Sequence, residues 1–282
     1  MSDKKTKLPL ILEGNPLPTN KFHISYSEAV EWENCSWRHK VHHIEKIDMD
    51  GPTEHTEFGK ILHDGIEQYL VGGMPLDPEV TGQKIVEAFA QLPKFEGDVQ
   101  EWVDAVKPIY EELPDFLAKN FQNYKVHSAE FELQEVFKKK PNRYFKGFID
   151  AVLECEKVDK RLKEPVVEQQ FWIIDHKTTS WGWTGDKKRD PQKQMQLVLY
   201  KHFWAERHNI PLEKIRCGWL LLKRVAKPGQ HIELVPVSVG EKAIEKSLDT
   251  VYRMMGSIEK KIFVKNRNSC KYCPYLNTKF CT

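Results

Sequence analysis

No apolar run in this 282-residue chain approaches the ~20 residues a membrane helix needs. The polar start, Met1 to Lys7, leads into an apolar piece, Leu8 to Leu12, that is short and broken by Pro9. It does not read as a secretory leader. Charge of one sign is lacking too: 43 Lys and Arg stand against 41 Asp and Glu, a net of +2. The chain is no polycation, so any surface for a polyanion must be local. Candidates are Lys138-Lys139-Lys140, Arg143 with Lys146, Lys187-Lys188-Arg189, and Lys260-Lys261 with Lys265 and Arg267. Runs of this kind are more often solvated surface. Neither G-x-x-x-x-G-K-[ST] nor G-x-G-x-x-G occurs, which excludes a built-in nucleotide-driven motor. No internal repeat or long low-complexity stretch is visible.

What is present fits a soluble, cytoplasmic protein of one large domain or two small ones. Hydrophobic residues make up 40% and charged residues 30%, with a mean hydropathy of -0.58. The six cysteines are unevenly spread. Cys155 and Cys217 lie inside apolar runs and read as small buried residues. Cys35 stands alone near the start, while Cys270, Cys273 and Cys281 crowd the end. In a reducing compartment such a cluster points to metal rather than disulfides.

The first 125 residues read as mostly helical. Pro9, Pro16 and Pro18 keep residues 1–24 extended. Ser25 or Ser27 caps a helix to about Arg38, and a loop through Gly51-Pro52 follows. Thr53 or Thr56 opens a helix ending at Gly72-Gly73. Further helices fit 78–91 and 98–124, the second bent at Pro108 and Pro114. From Val126 the period changes. A strand covers 127–137, a turn 138–142, and two strands follow, one through Gly147-Phe148-Ile149-Asp150 and one through Trp172 to Lys177. The charged stretch Lys157 to Glu164, closed by Pro165, separates them. A polar and aromatic loop over 179–190, a helix over 191–207, strands at 214–225 and 230–239, and a helix from Gly240 to Lys261 complete the order. That order is α/β, a mixed central sheet flanked by helices. The expected division is 1–125 helical, 126–262 the sheet-bearing core, and 263–282 a cysteine tail packed on the N-terminal region, within one structural unit.

Both central strands end their apolar run at an aspartate. Asp175 and Lys177 are two apart in a strand and share a face. Two acidic groups with a lysine on neighbouring strands suit a divalent metal with a cationic helper. On the earlier helix, His63 and Glu67 share a face at i, i+4, and Gly59 one turn before would admit a close approach. Gln196 and Tyr200 share a face on the later helix. Carboxylate ligands favour Mg²⁺ or Mn²⁺, and a histidine shifts the preference toward Mn²⁺.

These pieces in this order resemble the PD-(D/E)XK nuclease superfamily, in its RecB-like branch with the CRISPR-associated and AddB-type iron–sulfur nucleases. The pattern is Gly59…His63, Gly147-Phe148-Ile149-Asp150, Asp175-His176-Lys177 and Gln196…Tyr200. The resemblance spans about residues 25 to 281. It implies a restriction-endonuclease-like core and a divalent-metal-dependent deoxyribonuclease. Metal ligands would be His63, Asp150, Asp175 and the backbone carbonyl of His176. Lys177 would be the catalytic lysine, Glu67 an outer group beside His63, and Gln196 and Tyr200 contacts to DNA. It further implies a 4Fe–4S cluster on Cys35, Cys270, Cys273 and Cys281, although the last gap is longer than the family's usual one. A structural zinc fits the same thiols. The loop with Trp181, Trp183, Lys187, Lys188 and Arg189 has the residue types of a single-strand stacking surface, or its tryptophans pack over the sheet edge.

The expected activity is therefore an exonuclease on single-stranded DNA or DNA ends, in recombination, repair or replication-linked processing. It would act alone, as a phage enzyme in the host cytoplasm for example, or with a helicase or recombination partner. No subunit interface is legible in the residues. A cluster-stabilised DNA-binding scaffold that has lost cleavage is the alternative, and a redox sensor rests on the cysteines alone.

Overall fold

The computed structural model describes residues 14–159 and 166–282. A two-residue strand, β1 (His23–Ile24), precedes helix α1 (Tyr26–Asn34). Ser25 caps α1 by accepting from the Glu28 N–H. The chain is extended at Cys35, then turns through α2 (Ser36–His39) and a π-helical turn (Lys40–Ile44), where a loop was expected. A capping box between Thr53 and Thr56 starts α3 (Glu54–Gly72), and Gly73, at φ 62°, ends it. Helix α4 is Pro78–Phe89.

The single helix expected over 98–124 is two, α5 (Val99–Asp104) and α6 (Val106–Asn120). Pro108 has no N–H to give the Asp104 carbonyl four residues back, which places the break there. Pro114 is held inside α6, whose apolar face is buried against the sheet.

The strands are β2 (Lys125–Phe137), β3 (Lys140–Asp159), β4 (Val166–Thr179), β5 (Ile215–Lys223) and β6 (Ile232–Val237). The turn from β2 to β3 is tighter than expected, with Phe137 already opposite Lys140. β4 starts well before Trp172, and β3 runs on to Asp159; most of the charged separator, 160–165, lies outside the described residues. β3 carries β2 on one edge over 140–154. Its other edge is shared, with β1 parallel at Tyr144 and Phe145 and β4 antiparallel from Ala151 onward. β5 is parallel to β4 and β6 antiparallel to β5. This is a mixed sheet.

After β4 come a short helix α7 (Gly185–Arg189), then α8 (Pro191–His208), started by Asp190 and closed by Asn209 at φ 52°. The last helix is α9 (Glu241–Glu259). One sheet face is covered by α3 to α6, where Phe58, Leu62, Ile66 and Leu113 meet Leu153, Ile174 and Leu220. The other is covered by α1, α8 and α9, where Phe203, Trp204 and Met254 meet Ile149, Ile173 and Trp219. The fold is thus α/β, a mixed sheet between helical layers. A third, small core joins the α2–π-turn segment to the C-terminal tail: Val41, Tyr275 and Cys281 with Trp37 and Phe280. No helix among the described residues is long and apolar enough to cross a membrane.

Candidate active site

The site lies where the sheet forks. β3 and β4 pair from Asp159↔Val166 as far as Ala151↔Ile174. Beyond that, β4 keeps its ladder with β5 to Thr179 while β3 turns to β1. Parting strands leave backbone donors without a strand partner, and each must be met in some other way. Asp150 meets one: its Oδ2 accepts from the His176 N–H at 2.6 Å. The carboxylate is fixed by the split itself.

Helix α3 crosses this fork and delivers His63, whose Nδ1 lies 3.7 Å from Asp150 Oδ2. The His176 ring faces it from β4, with centroids 5.4 Å apart and planes at 81°. One ligand atom from each of His63, Asp150 and His176 falls within 4.8 Å of the others. Sequence reasoning used only the backbone carbonyl of His176, yet its side chain belongs to this group. Asp175 and Lys177, two apart on β4, share a face, as their spacing predicts. Both act electrostatically on His63, and Lys177 acts on Asp150 as well. Asp175 is buried at 1% exposure, and its Oδ2 lies 2.8 Å from Lys177 Nζ.

The electrostatics are those of a site short of positive charge. Burial pushes Asp150 up to about 7 and Asp175 up to about 6, against the pull of the nearby Lys177. His63 is held down to about 4 by burial and is neutral at pH 7, so a ring lone pair is free. Lys177 is raised: burial opposes its charge, but the Asp175 partner outweighs that. Buried carboxylates with too little cation beside them, plus neutral imidazoles, are a donor set that fits a divalent ion.

The motif glycines have steric reasons. A Cβ on Gly59 would lie 3.3 Å from Thr178 Oγ1, so the close approach made there is that of β4 against α3. A Cβ on Gly147 would lie 2.6 Å from Tyr200 Cε1. Tyr200 is buried under the fork and accepts from Gln196 Nε2 at 3.2 Å. Its phenol is raised by burial and then by Asp175. Glu67 lies one turn beyond His63, and its carboxyl is raised by partial burial and by Asp64.

Two site residues were missed from the sequence. Glu130 sits in β2 opposite Asp150, between the pairs Ala129↔Ala151 and Phe131↔Ile149, at φ 44°. Burial and the charges of Glu67 and Asp175 raise it. Tyr26, on α1, is raised by burial and by Asp175. Only the register of β2 on β3 reveals the first, and only the packing of α1 reveals the second.

A model of the PD-(D/E)XK nuclease superfamily matches residues 23–278. The chain belongs to that superfamily. Membership makes it a nuclease by class, a phosphodiester hydrolase. A crystal structure of a protein designated a candidate exonuclease, from Eubacterium rectale, has the same fold. It aligns with a TM-score of 0.53 at 9% identity, over 90% of this chain and 88% of that one. No curated protein sequence matches significantly.

In this nuclease-superfamily chain the loop after β4 divides its two tryptophans. Trp181 is 77% exposed. Trp183 packs on Trp219, ring centroids 4.9 Å apart, with Lys187 Nζ 4.7 Å above its own ring. Lys188 pairs with Glu233, and Arg189 with Asp186 at 3.0 Å. The four outlying cysteines, Cys35, Cys270, Cys273 and Cys281, line one small cavity with Trp37 and Tyr275. Cys155 and Cys217 are buried in the core, as expected.

Proposed function

We propose that this chain is a divalent-metal-dependent deoxyribonuclease, an exonuclease on single-stranded DNA or DNA ends, of the RecB-like branch. The observation that carries this is the fork, which gathers Asp150, His63 and His176 at one point with the Asp175–Lys177 pair beside them. Mg²⁺ or Mn²⁺ would be held by His63, Asp150, Asp175 and the backbone carbonyl of His176, with the His176 ring beside them. When bound, the ion supplies an activated water and neutralises phosphate charge. Lys177, kept protonated by Asp175, stabilises negative charge that develops on the phosphate and orients the water. Neutral His63 offers a lone pair rather than a proton. Tyr200, buried against Gly147, holds the β3 side of the fork in place, and Gln196 is left to offer a polar contact to the phosphate backbone. Exposed Trp181 suits base stacking beside Lys187.

The cysteine cavity supports a 4Fe–4S cluster on Cys35, Cys270, Cys273 and Cys281. Four thiols at one cavity are the ligand set a 4Fe–4S cluster needs, and a structural zinc is the alternative on the same residues. The biological setting this reading suggests is recombination, repair or replication-linked processing, as a phage enzyme or with a helicase partner.

The test is cleavage of end-labelled single-stranded DNA with Mg²⁺ or Mn²⁺ by wild type, Lys177→Ala and Asp150→Ala. Each variant is expected to lose at least about a hundredfold in rate, the scale of one positioned acid–base group. Cleavage that persists in both would remove this site from the reaction. A folded, cluster-bearing wild type that cuts nothing would favour a DNA-binding scaffold instead.

A further inference from the structure

A second group of metal-type ligands lies apart from the fork, on α1 and the π turn that follows it. Glu31, on α1, turns one carboxylate oxygen toward two histidines. His42 Nδ1 is 3.0 Å from Glu31 Oε2, and His43 Nε2 is 2.7 Å from the same atom. The other oxygen, Oε1, accepts from Arg38 Nε at 2.8 Å. Arg38 is itself tied to Asp50 at 2.6 Å. The carboxylate is thus oriented from behind, with Oε2 facing both rings and His42 Nδ1 also 3.3 Å from Oε1.

Sequence neighbours do not ordinarily converge in this way. Consecutive residues of an α-helix diverge by about 100°. Here the backbone takes a π turn over Lys40–Ile44, with the Glu45 N–H reaching back to the Lys40 carbonyl. The wider turn brings the His42 and His43 rings to 4.3 Å between centroids. π turns of this kind are uncommon and concentrate at functional sites. The three side chains are 12%, 28% and 17% exposed, shielded yet open to an ion. The remaining nitrogen of His42, Nε2, faces Asp48 at 3.9 Å. That matches the habit of metal-bound imidazoles, which turn their other nitrogen to a carboxylate.

We propose that Glu31, His42 and His43 form a second metal site that takes a divalent transition ion of the zinc class. Zinc–nitrogen and zinc–oxygen bonds are about 2.0–2.2 Å. Tetrahedral ligand atoms then sit about 3.3–3.5 Å apart, so each ring nitrogen needs to draw back from Glu31 Oε2 by only about half an ångström. Two nitrogens and one carboxylate oxygen suit Zn²⁺ over Mg²⁺, which prefers a majority of oxygen ligands. The ion would tie α1, which ends at Cys35, to the turn that follows it. Arg38, which positions Glu31, also lines the cysteine cavity. The site is independent of the nuclease reading.

Zinc is titrated into the full chain carrying ¹⁵N-labelled histidine, in a His63→Ala/Asp150→Ala background that removes the other histidine site. The expected result is a shift of His42 Nδ1 and His43 Nε2 at about one equivalent, with bound zinc counted by mass spectrometry. Glu31→Gln, His42→Asn or His43→Asn should each lose about that one equivalent. Resonances of both rings that stay unmoved at saturating zinc would overturn the proposal, even if a substituted chain failed to fold. So would zinc content equal in the background and in folded variants.

Discussion

Gly147 shows how much a single missing Cβ can decide. With a methyl group there, the Tyr200 ring at 2.6 Å would have to move, and Tyr200 is buried. Gly147→Ala should cost about 1–3 kcal/mol, the range for overpacking. It should cost clearly less in a Tyr200→Ala background, as read by denaturant unfolding of the four chains. An equal cost in both backgrounds would point away from the ring. His208 makes a second residue-scale case. Its ring packs against Trp204 at 4.5 Å and its Nε2 is buried without a partner. Burial, then the His127 and Arg207 charges, hold it down to about 4. An unfolded histidine takes its proton near 6.5, so between about pH 6.5 and 4 the unfolded chain binds more protons. Stability is full above that window and falls as pH drops through it. Ring NMR should show His208 titrating near 4, and His208→Gln should lose less stability than wild type between pH 7 and 5. A titration near 6.5 would refute the burial argument.

Among the elements, the loop from β4 to α8 has split roles. Trp183, packed on Trp219, is part of the core, and Trp181 is not. Trp183→Ala should therefore destabilise the fold by about 2–4 kcal/mol, toward the lower end of large-to-small aromatic losses. Trp181→Ala should stay within about 0.5 kcal/mol of wild type. If Trp181 stacks on DNA, its removal should instead weaken single-strand binding by about 1–3 kcal/mol. Fluorescence titration against a short oligonucleotide, beside thermal unfolding, separates the two. Much of this element scale was legible. Ser25, Thr53 and Gly73 cap as their chemistry predicts, and period changes mark the sheet. The split of 98–124 is not a bend at Pro108, because the missing N–H there ends a hydrogen-bond ladder. The π turn after His39 had no local signal at all.

At the scale of the whole molecule, the segment that begins at the end of α1 and the C-terminal tail hold each other. Trp37 Nε1 donates to the Phe280 carbonyl at 2.9 Å, Asn266 Nδ2 to the Asn34 carbonyl at 2.8 Å, and Tyr275 OH to the Ile47 carbonyl at 2.6 Å. Tyr275 is fully buried, so Tyr275→Phe should cost about 1 kcal/mol or more by stranding that carbonyl. If the four thiols hold one cluster, Cys35→Ser and Cys281→Ser should each abolish the same visible absorption band. Their thermal destabilisation should then be no greater together than singly. Additive losses would mean that the two cysteines act separately.

The linear chain by itself determined the residue types of the candidate site, their order and the shared face of Asp175 and Lys177, because strand period and residue chemistry are local. It also marked four cysteines as a group apart from the two core ones. Only the tertiary structure decided that Asp150 is pinned by the His176 N–H, that the His176 ring joins His63, and that Glu130 stands opposite Asp150. Those depend on where β3 and β4 part and on the register of β2, which are long-range pairings no local pattern encodes. The convergence of Glu31 on His42 and His43 is of the same kind: it exists only because the backbone widens its turn where two histidines happen to be adjacent.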